Sequence, residues 1–303
     1  MAESELPEFE SSEVPTRRRG WRPHWLNRNL ACLFAGRALR STSQAYLVIV
    51  VPLYLAALGY SGVHLGLMFA IVAGASAVLS ALTGFLSDRF GRKSLVILLS
   101  LMTAAGGVVF MLSTNFVILT VAAAIGTIGR GGGAGSAGAF GPYYPAEQPL
   151  IAEQTEDYLR TTVFGTLSFV AVLGGAVGSL LASAPRLAHH VFGLPIVDGY
   201  RALFALTGVI GLAMAAVVMP VRETHRPTAR RRGVGQDVKS SSAEAAHSER
   251  LILGLSGQSW RLIWRFMTTS ATNGFAVGML GPLLVYWFYR RYGATAADIG
   301  ELY

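Results

Sequence analysis

Charge is what this sequence has least of. Asp, Glu, Lys and Arg together make up 14% of its 303 residues, where a water-soluble domain carries about 25%. A deficit of that size excludes a chain whose whole surface faces water. Cysteine is almost missing too. Cys32 stands alone, so no internal disulfide framework can form. The six histidines do not pair with Cys or carboxylates at metal-ligand spacing, and no metal site is expected. No set of nucleophile, base and orienting group appears either, so an enzyme is not expected. Lysine occurs only at Lys93 and Lys239. A secretory signal is also lacking: residues 1–20 are polar, acidic first and then basic.

Hydrophobic residues fill the space that charge leaves. They make up 52% of the chain, and the mean hydropathy is +0.46. Glycine, at 35 residues, would be costly in soluble helices. In a bilayer, small residues let helices approach closely. Both features describe an all-α membrane protein.

The formal charge of +8 raises the question of nucleic acid. The arginines fall in short clusters between apolar stretches, as loops beside a membrane do, so no nucleic-acid partner is expected. A bilayer-spanning helix needs about 20 mostly apolar residues. Seven segments qualify, near 30–58, 63–86, 94–113, 116–140, 161–184, 200–220 and 262–289. Basic clusters precede the first, separate the second from the third (Arg89, Arg92, Lys93), and fill the stretch between the sixth and seventh. Positive charge thus marks every second loop, which predicts a multi-pass protein of the cell membrane with its N-terminus in the cytoplasm. The loop 141–160 falls on the same side although it is acidic (Glu147, Glu153, Glu156, Asp157).

The organisation read from these patterns has four parts. Residues 1–28 form a cytoplasmic disordered tail and 29–220 a six-helix transmembrane bundle. Residues 221–258 form a basic cytoplasmic linker, and 259–303 hold helix 7 and the start of an incomplete second bundle. A weak repeat supports the division. Pro52 lies late in helix 1 and is followed by Gly59 and Gly66; Pro282 lies late in helix 7 and is followed by Gly293 and Gly300. Parallel repeats of this kind occur in one class of transporter, and matching the first repeat would take five more helices.

The most specific motif is Gly84-Phe-Leu-Ser-Asp88-Arg89-Phe-Gly91-Arg92-Lys93, between helices 2 and 3. An acid at the end of an apolar helix is expensive unless paired. The pattern resembles the signature that the major facilitator superfamily carries in this loop. The resemblance covers essentially the whole chain: six helices, a basic central linker, then helix 7. It implies a six-helix N-terminal bundle of that type, truncated after helix 7 of about seven. It also implies that Asp88 and Arg92 belong to a charge network latching two bundles, with Gly84 and Gly91 permitting close helix approach and a tight turn. The family's partner for Asp88 lies on a helix beyond Tyr303.

Further candidates lie inside the helices. Arg130 sits deep in helix 4 between Gly129 and Gly131, where the family often has an arginine implicated in coupling or substrate binding. Arg37, Arg40 and Gln44 make the first half of helix 1 polar, and Asn273 does the same in helix 7. A polar stripe within a bundle lines a path for substrate, and these residues favour an anionic or polar small molecule. Apart from Asp88, the helix interiors hold no acid. A proton-coupling carboxylate is therefore expected in the missing half, or in a loop working with Arg130. Gly174 and Gly178 form a small-xxx-small contact, but the proline of the family's exporters is missing from helix 5. Gly133-Ala-Gly135-Ser-Ala-Gly138 fits a dinucleotide fingerprint but lies inside an apolar run without the required strand, so no cofactor is expected.

The expected function is secondary active transport of a small molecule by alternating access, with efflux permitted. The other reading is a truncated, non-transporting membrane protein, or a half-transporter that must self-associate. A light-driven pump or seven-helix receptor is disfavoured: helix 7 has no lysine, and the charge bias points the wrong way for a receptor.

Overall fold

The computed structural model describes residues 26–128, 141–193, 195–221, 261, 264–265, 267–268 and 283–302, apart from the side chains of Asp88, Phe192 and Glu301. Among the described residues every regular element is helical. The elements are α1 (Arg28–Ala57), α2 (Gly62–Phe90), α3 (Arg92–Leu112), α4 (Phe116–Gly126), α5 (Tyr144–Glu153), α6 (Arg160–Leu181), α7 (Ala184–Phe192), α8 (Ile196–Val218), α9 (283–292) and α10 (Ala296–Leu302).

Four stretches are long and apolar enough to cross a membrane: Gly62–Ser87, Arg92–Leu112, Asp157–Val191 and Ile196–Val218. The 30 residues of α1 would reach about 45 Å at the rise of an α-helix, more than enough to span. Its first half is diluted by Arg37, Arg40 and four hydroxyl or amide side chains. The helices run alternately up and down. One end of the bundle carries Arg28, Arg89, Arg92 and Lys93 and is the basic end; α7 and the turn from α9 to α10 lie at the opposite end.

Small residues set the spacing. α1 packs against α6 and α8, and α3 packs against α8 and α4. A Cβ added to Gly174 would lie 2.8 Å from the Ala38 carbonyl oxygen, and one added to Gly211 would lie 2.7 Å from the Ala104 nitrogen. At these crossings backbone meets backbone, which only glycine allows. The main core gathers around Tyr46, Tyr54, Phe110 and Phe204, with a smaller cluster of Leu33, Leu150, Ile151 and Leu167 toward the basic end. The Tyr46 hydroxyl meets Thr207 Oγ1 at 2.7 Å, joining α1 to α8. On α2 an exposed stripe of Leu67, Ile71, Val78, Leu82 and Phe85 follows helical spacing and suits lipid contact.

The fourth span departs from the continuous helix expected over 116–140. α4 ends at Gly126, where Thr127 turns into the left-handed region (φ 57°) and the Ile128 amide donates back to the Ala123 carbonyl. The chain is helical again at 144–153, within the stretch 141–160 that was expected to be a loop. Both α4 and α5 pack on α2 and α3. Thr103, midway along α3, lies 3.0 Å from the Gly126 carbonyl oxygen and 3.0 Å from the Tyr143 hydroxyl. The end of one short helix and the start of the other therefore meet at the level of one threonine. With 11 and 10 residues they measure about 16 and 15 Å, together about one hydrocarbon thickness. Residues 129–140 of the expected helix lie outside the described residues.

Candidate functional site

The middle of α1 and the start of α5 bring three charges together. Arg37 and Arg40 lie one turn apart on α1 and face the same way. The Arg37 Nη1 donates to Glu147 Oε2 at 3.2 Å, and the Arg40 Nη2 donates to the same oxygen. All three side chains are 5% exposed, so the arginines are held inside the bundle rather than extended to an interface. The Arg40 guanidinium also stacks on the Tyr143 ring, 4.6 Å from its centroid, an arrangement that favours a cation. Gln44, one turn beyond Arg40, donates from Nε2 to the Thr127 carbonyl at 3.1 Å. That bond covers a carbonyl left without a helical partner where α4 stops.

Among the described residues both guanidiniums donate to one oxygen of Glu147. Arg40 Nε is buried and has no hydrogen-bond partner among the described residues. A buried donor of this kind favours a strong hydrogen-bond acceptor beside it.

Glu147 escaped sequence reasoning, which found no acid inside the helices apart from Asp88. The structure corrects this: Glu147 lies in the first turn of α5 and is 4% exposed. A signal existed. Pro145 sits in the first turn of that helix, where proline is favoured, and an acid two residues on suits the positive helix end. It was missed because 141–160 reads as an acidic loop, with Glu147 as one of its acids.

At the basic end, Gly91 joins α2 to α3 in a single residue with φ 89°. Only glycine adopts that conformation easily. Arg92, the first residue of α3, pairs with Glu153 at the end of α5. Arg89 is exposed and lies over the Phe90 ring at 5.8 Å, and Lys93 is half-buried. No atom lies within 4 Å of a Cβ added to Gly84, so the close approach expected there does not occur among the described residues. The backbone of Asp88 belongs to α2, but its side chain lies outside what the structure describes, as do Arg130 and Asn273 altogether. The arrangement brings Arg37, Arg40 and Gln44 to one site and places Arg92 at another.

Long apolar helices packed into one bundle define an integral membrane protein. The family model of the Major Facilitator Superfamily matches residues 33–302, and the chain belongs to that superfamily. It is similar to the uncharacterized membrane protein YJR124C of Saccharomyces cerevisiae, 22% identical over 91% of this chain and 64% of that protein. It is similar to the multidrug resistance protein MdtG of Enterobacter lignolyticus, 25% identical over 90% of this chain and 58% of that protein. The quinolone resistance protein NorA of Staphylococcus aureus is 24% identical over 67% of this chain and 46% of its own length. The chain spans about three-fifths of the length of the first two relatives.

Proposed function

We propose that the chain provides the first bundle of a secondary active carrier that moves a small anionic molecule by alternating access. The observation that carries this reading is the buried Arg37–Arg40–Glu147 cluster, in which Arg40 Nε has no hydrogen-bond partner among the described residues. It sits beside Thr103, midway along α3, where the Gly126 carbonyl and the Tyr143 hydroxyl meet, and carriers bind substrate near the membrane midplane. The basic end is the cytoplasmic one, which puts the N-terminus in the cytoplasm and the protein in the cell membrane. The resistance proteins among its relatives favour export. Coupling to protons gives the buried carboxylate a use that a purely structural pair would not have.

The test uses vesicles bearing the chain and two dyes, anionic carboxyfluorescein and cationic ethidium, under an imposed pH gradient. The expected result is movement of carboxyfluorescein that Arg40→Met abolishes. Ethidium moving instead, or carboxyfluorescein movement unchanged by Arg40→Met, overturns the anionic assignment. If vesicles holding only this chain move neither dye, the non-transporting reading takes its place. Movement that scales with the fraction of crosslinked dimer favours a half-transporter that self-associates.

A further inference from the structure

Arg201 interrupts an otherwise apolar flank of α8. It lies five residues, about 7.5 Å, below the start of that helix at Ile196, at the end of the bundle opposite the basic one. A cation at such a depth is costly unless it finds a partner or reaches the interface. Its Nη1 donates to Asp198 Oδ1 at 3.3 Å, and its Nε is buried with no hydrogen-bond partner among the described residues. The Arg201 and Asp198 side chains are 39% and 48% exposed. Asp198 is three residues, about 4.5 Å, nearer the helix start than Arg201.

Packing contacts fix which flank this is. Pro185 of α7 presses on Gly199, and Arg201, two residues on, faces nearly the other way. Gly208 is seven residues beyond Arg201, so it lies below it on the same flank. A Cβ added to Gly208 would sit 3.5 Å from Val108 Cγ2 of α3. The two helices run antiparallel along this seam, with Ala104 against Gly211 and Gly107 against Gly208. Glycine at 208 keeps the seam open as a groove. Its lips are Val108 and Leu112 on α3 and Val209 and Leu212 on α8, all exposed, and in a bilayer they meet acyl chains. The groove therefore leads up to a cation, with an anion one turn further out.

We propose that this seam holds a phospholipid with a phosphoethanolamine headgroup. An acyl chain lies along the groove, the phosphate takes Arg201, and the ammonium takes Asp198. The order of the charges selects the chemistry. In such a headgroup the phosphate is the deeper group and the amine the outer one, as Arg201 is deeper than Asp198. The pair is neutral as a whole, so it matches a zwitterion better than a net anion. A primary ammonium has three N–H donors for a carboxylate, whereas a trimethylated one has none. The guanidinium grips phosphate through two parallel N–H bonds. An outward turn of the Arg201 side chain would give Nε the acceptor it lacks. The exposed ion pair, weak by itself, opens to admit the headgroup. The site requires that α8 crosses the bilayer and is independent of the carrier reading.

Native mass spectrometry of the purified full chain in detergent tests the site, with dioleoyl lipids of ethanolamine, choline and glycerol headgroup supplied one at a time. The one-to-one adduct with the ethanolamine lipid should exceed either other about fivefold, the scale of one exposed charge pair. Arg201→Met should remove that excess, and Asp198→Asn should bring the ethanolamine lipid level with the choline lipid. Both side chains lie at the surface, so both variants should melt with the parent protein. The comparison of lipids on the unaltered chain decides the matter even if they do not. Equal adducts of all three lipids on that chain overturn the proposal, as does an ethanolamine excess that survives Arg201→Met. An excess that survives Asp198→Asn overturns the amine contact. Glycerophosphoethanolamine, which has the headgroup and no chains, should compete poorly; full competition overturns the groove. Displacement of the lipid by inorganic phosphate marks a free-anion site and overturns the lipid. A dimer that excludes the adduct puts a second copy in the seam and overturns it too.

Discussion

Replacing Glu147 by Gln removes a carboxylate that two buried guanidiniums share. The side chains of Arg37, Arg40 and Glu147 are each 5% exposed, so water cannot make good the loss without opening the bundle. Breaking a buried pair by deleting one partner costs about 3–5 kcal/mol. For a protein of this size each kcal/mol moves the midpoint by about 2–4 °C, so a drop of about 10 °C is expected. Methionine at all three positions should recover most of that, because apolar replacement of a whole ion cluster is often neutral or stabilising. The assay is thermal unfolding of the purified chain in detergent, followed by helical circular dichroism. If Glu147→Gln melts with the parent protein, the carboxylate is not holding the arginines, and the charge argument for the site fails. If Glu147→Gln and the triple variant fall equally, the loss is one of packing and not of charge.

Other expectations follow from single contacts. Thr103→Val removes the hydroxyl between Gly126 and Tyr143; a loss of about 1–3 kcal/mol is expected, since a buried Tyr hydroxyl loses a partner, and chemical denaturation measures it. Gly178→Val places a side chain against the Thr42 carbonyl; overpacking of this kind costs about 1–3 kcal/mol, and yield of folded protein from membranes reads it. Between α7 and α10, hydrogen bonds from Thr295 first, and then the Arg186 charge, hold the Asp298 carboxyl below its ordinary value of 3.8. A depressed acid stabilises the contact above its unfolded pKa and loses that contribution as pH falls through the folded one. Ser179 is buried beneath Gly300 of α10, so maleimide labelling of Ser179→Cys, normalised to a thiol at exposed Leu187, should stay flat from pH 8 to pH 5; a rise within that window refutes it.

Length and hydropathy made the long apolar helices legible. α2, α3, α6 and α8 lie on the segments read near 63–86, 94–113, 161–184 and 200–220. The family was legible from the loop at Gly84–Lys93. The end of α4 at Gly126 was not, because 116–128 is apolar and free of proline, and composition alone does not mark where such a helix stops. The candidate site was half legible. Arg37, Arg40 and Gln44 stood out as polar residues in an apolar helix, but their partner Glu147 lay in a stretch whose acids and prolines read as a loop. Pairing across 110 residues is a tertiary fact that periodicity does not encode. The contact of α10 with α6 and α7 carried no sequence signal beyond the glycine pair Gly293 and Gly300.

The glycine crossings at Gly174 and Gly211 have a consequence for how this sequence can change. A Cβ at either position would press on the backbone of α1 or α3, so no change of rotamer in the facing helix makes room for it. Substitution there has to be matched by the shift of a whole helix. Variation should gather instead on faces such as the exposed stripe of α2, where side chains can be exchanged one at a time.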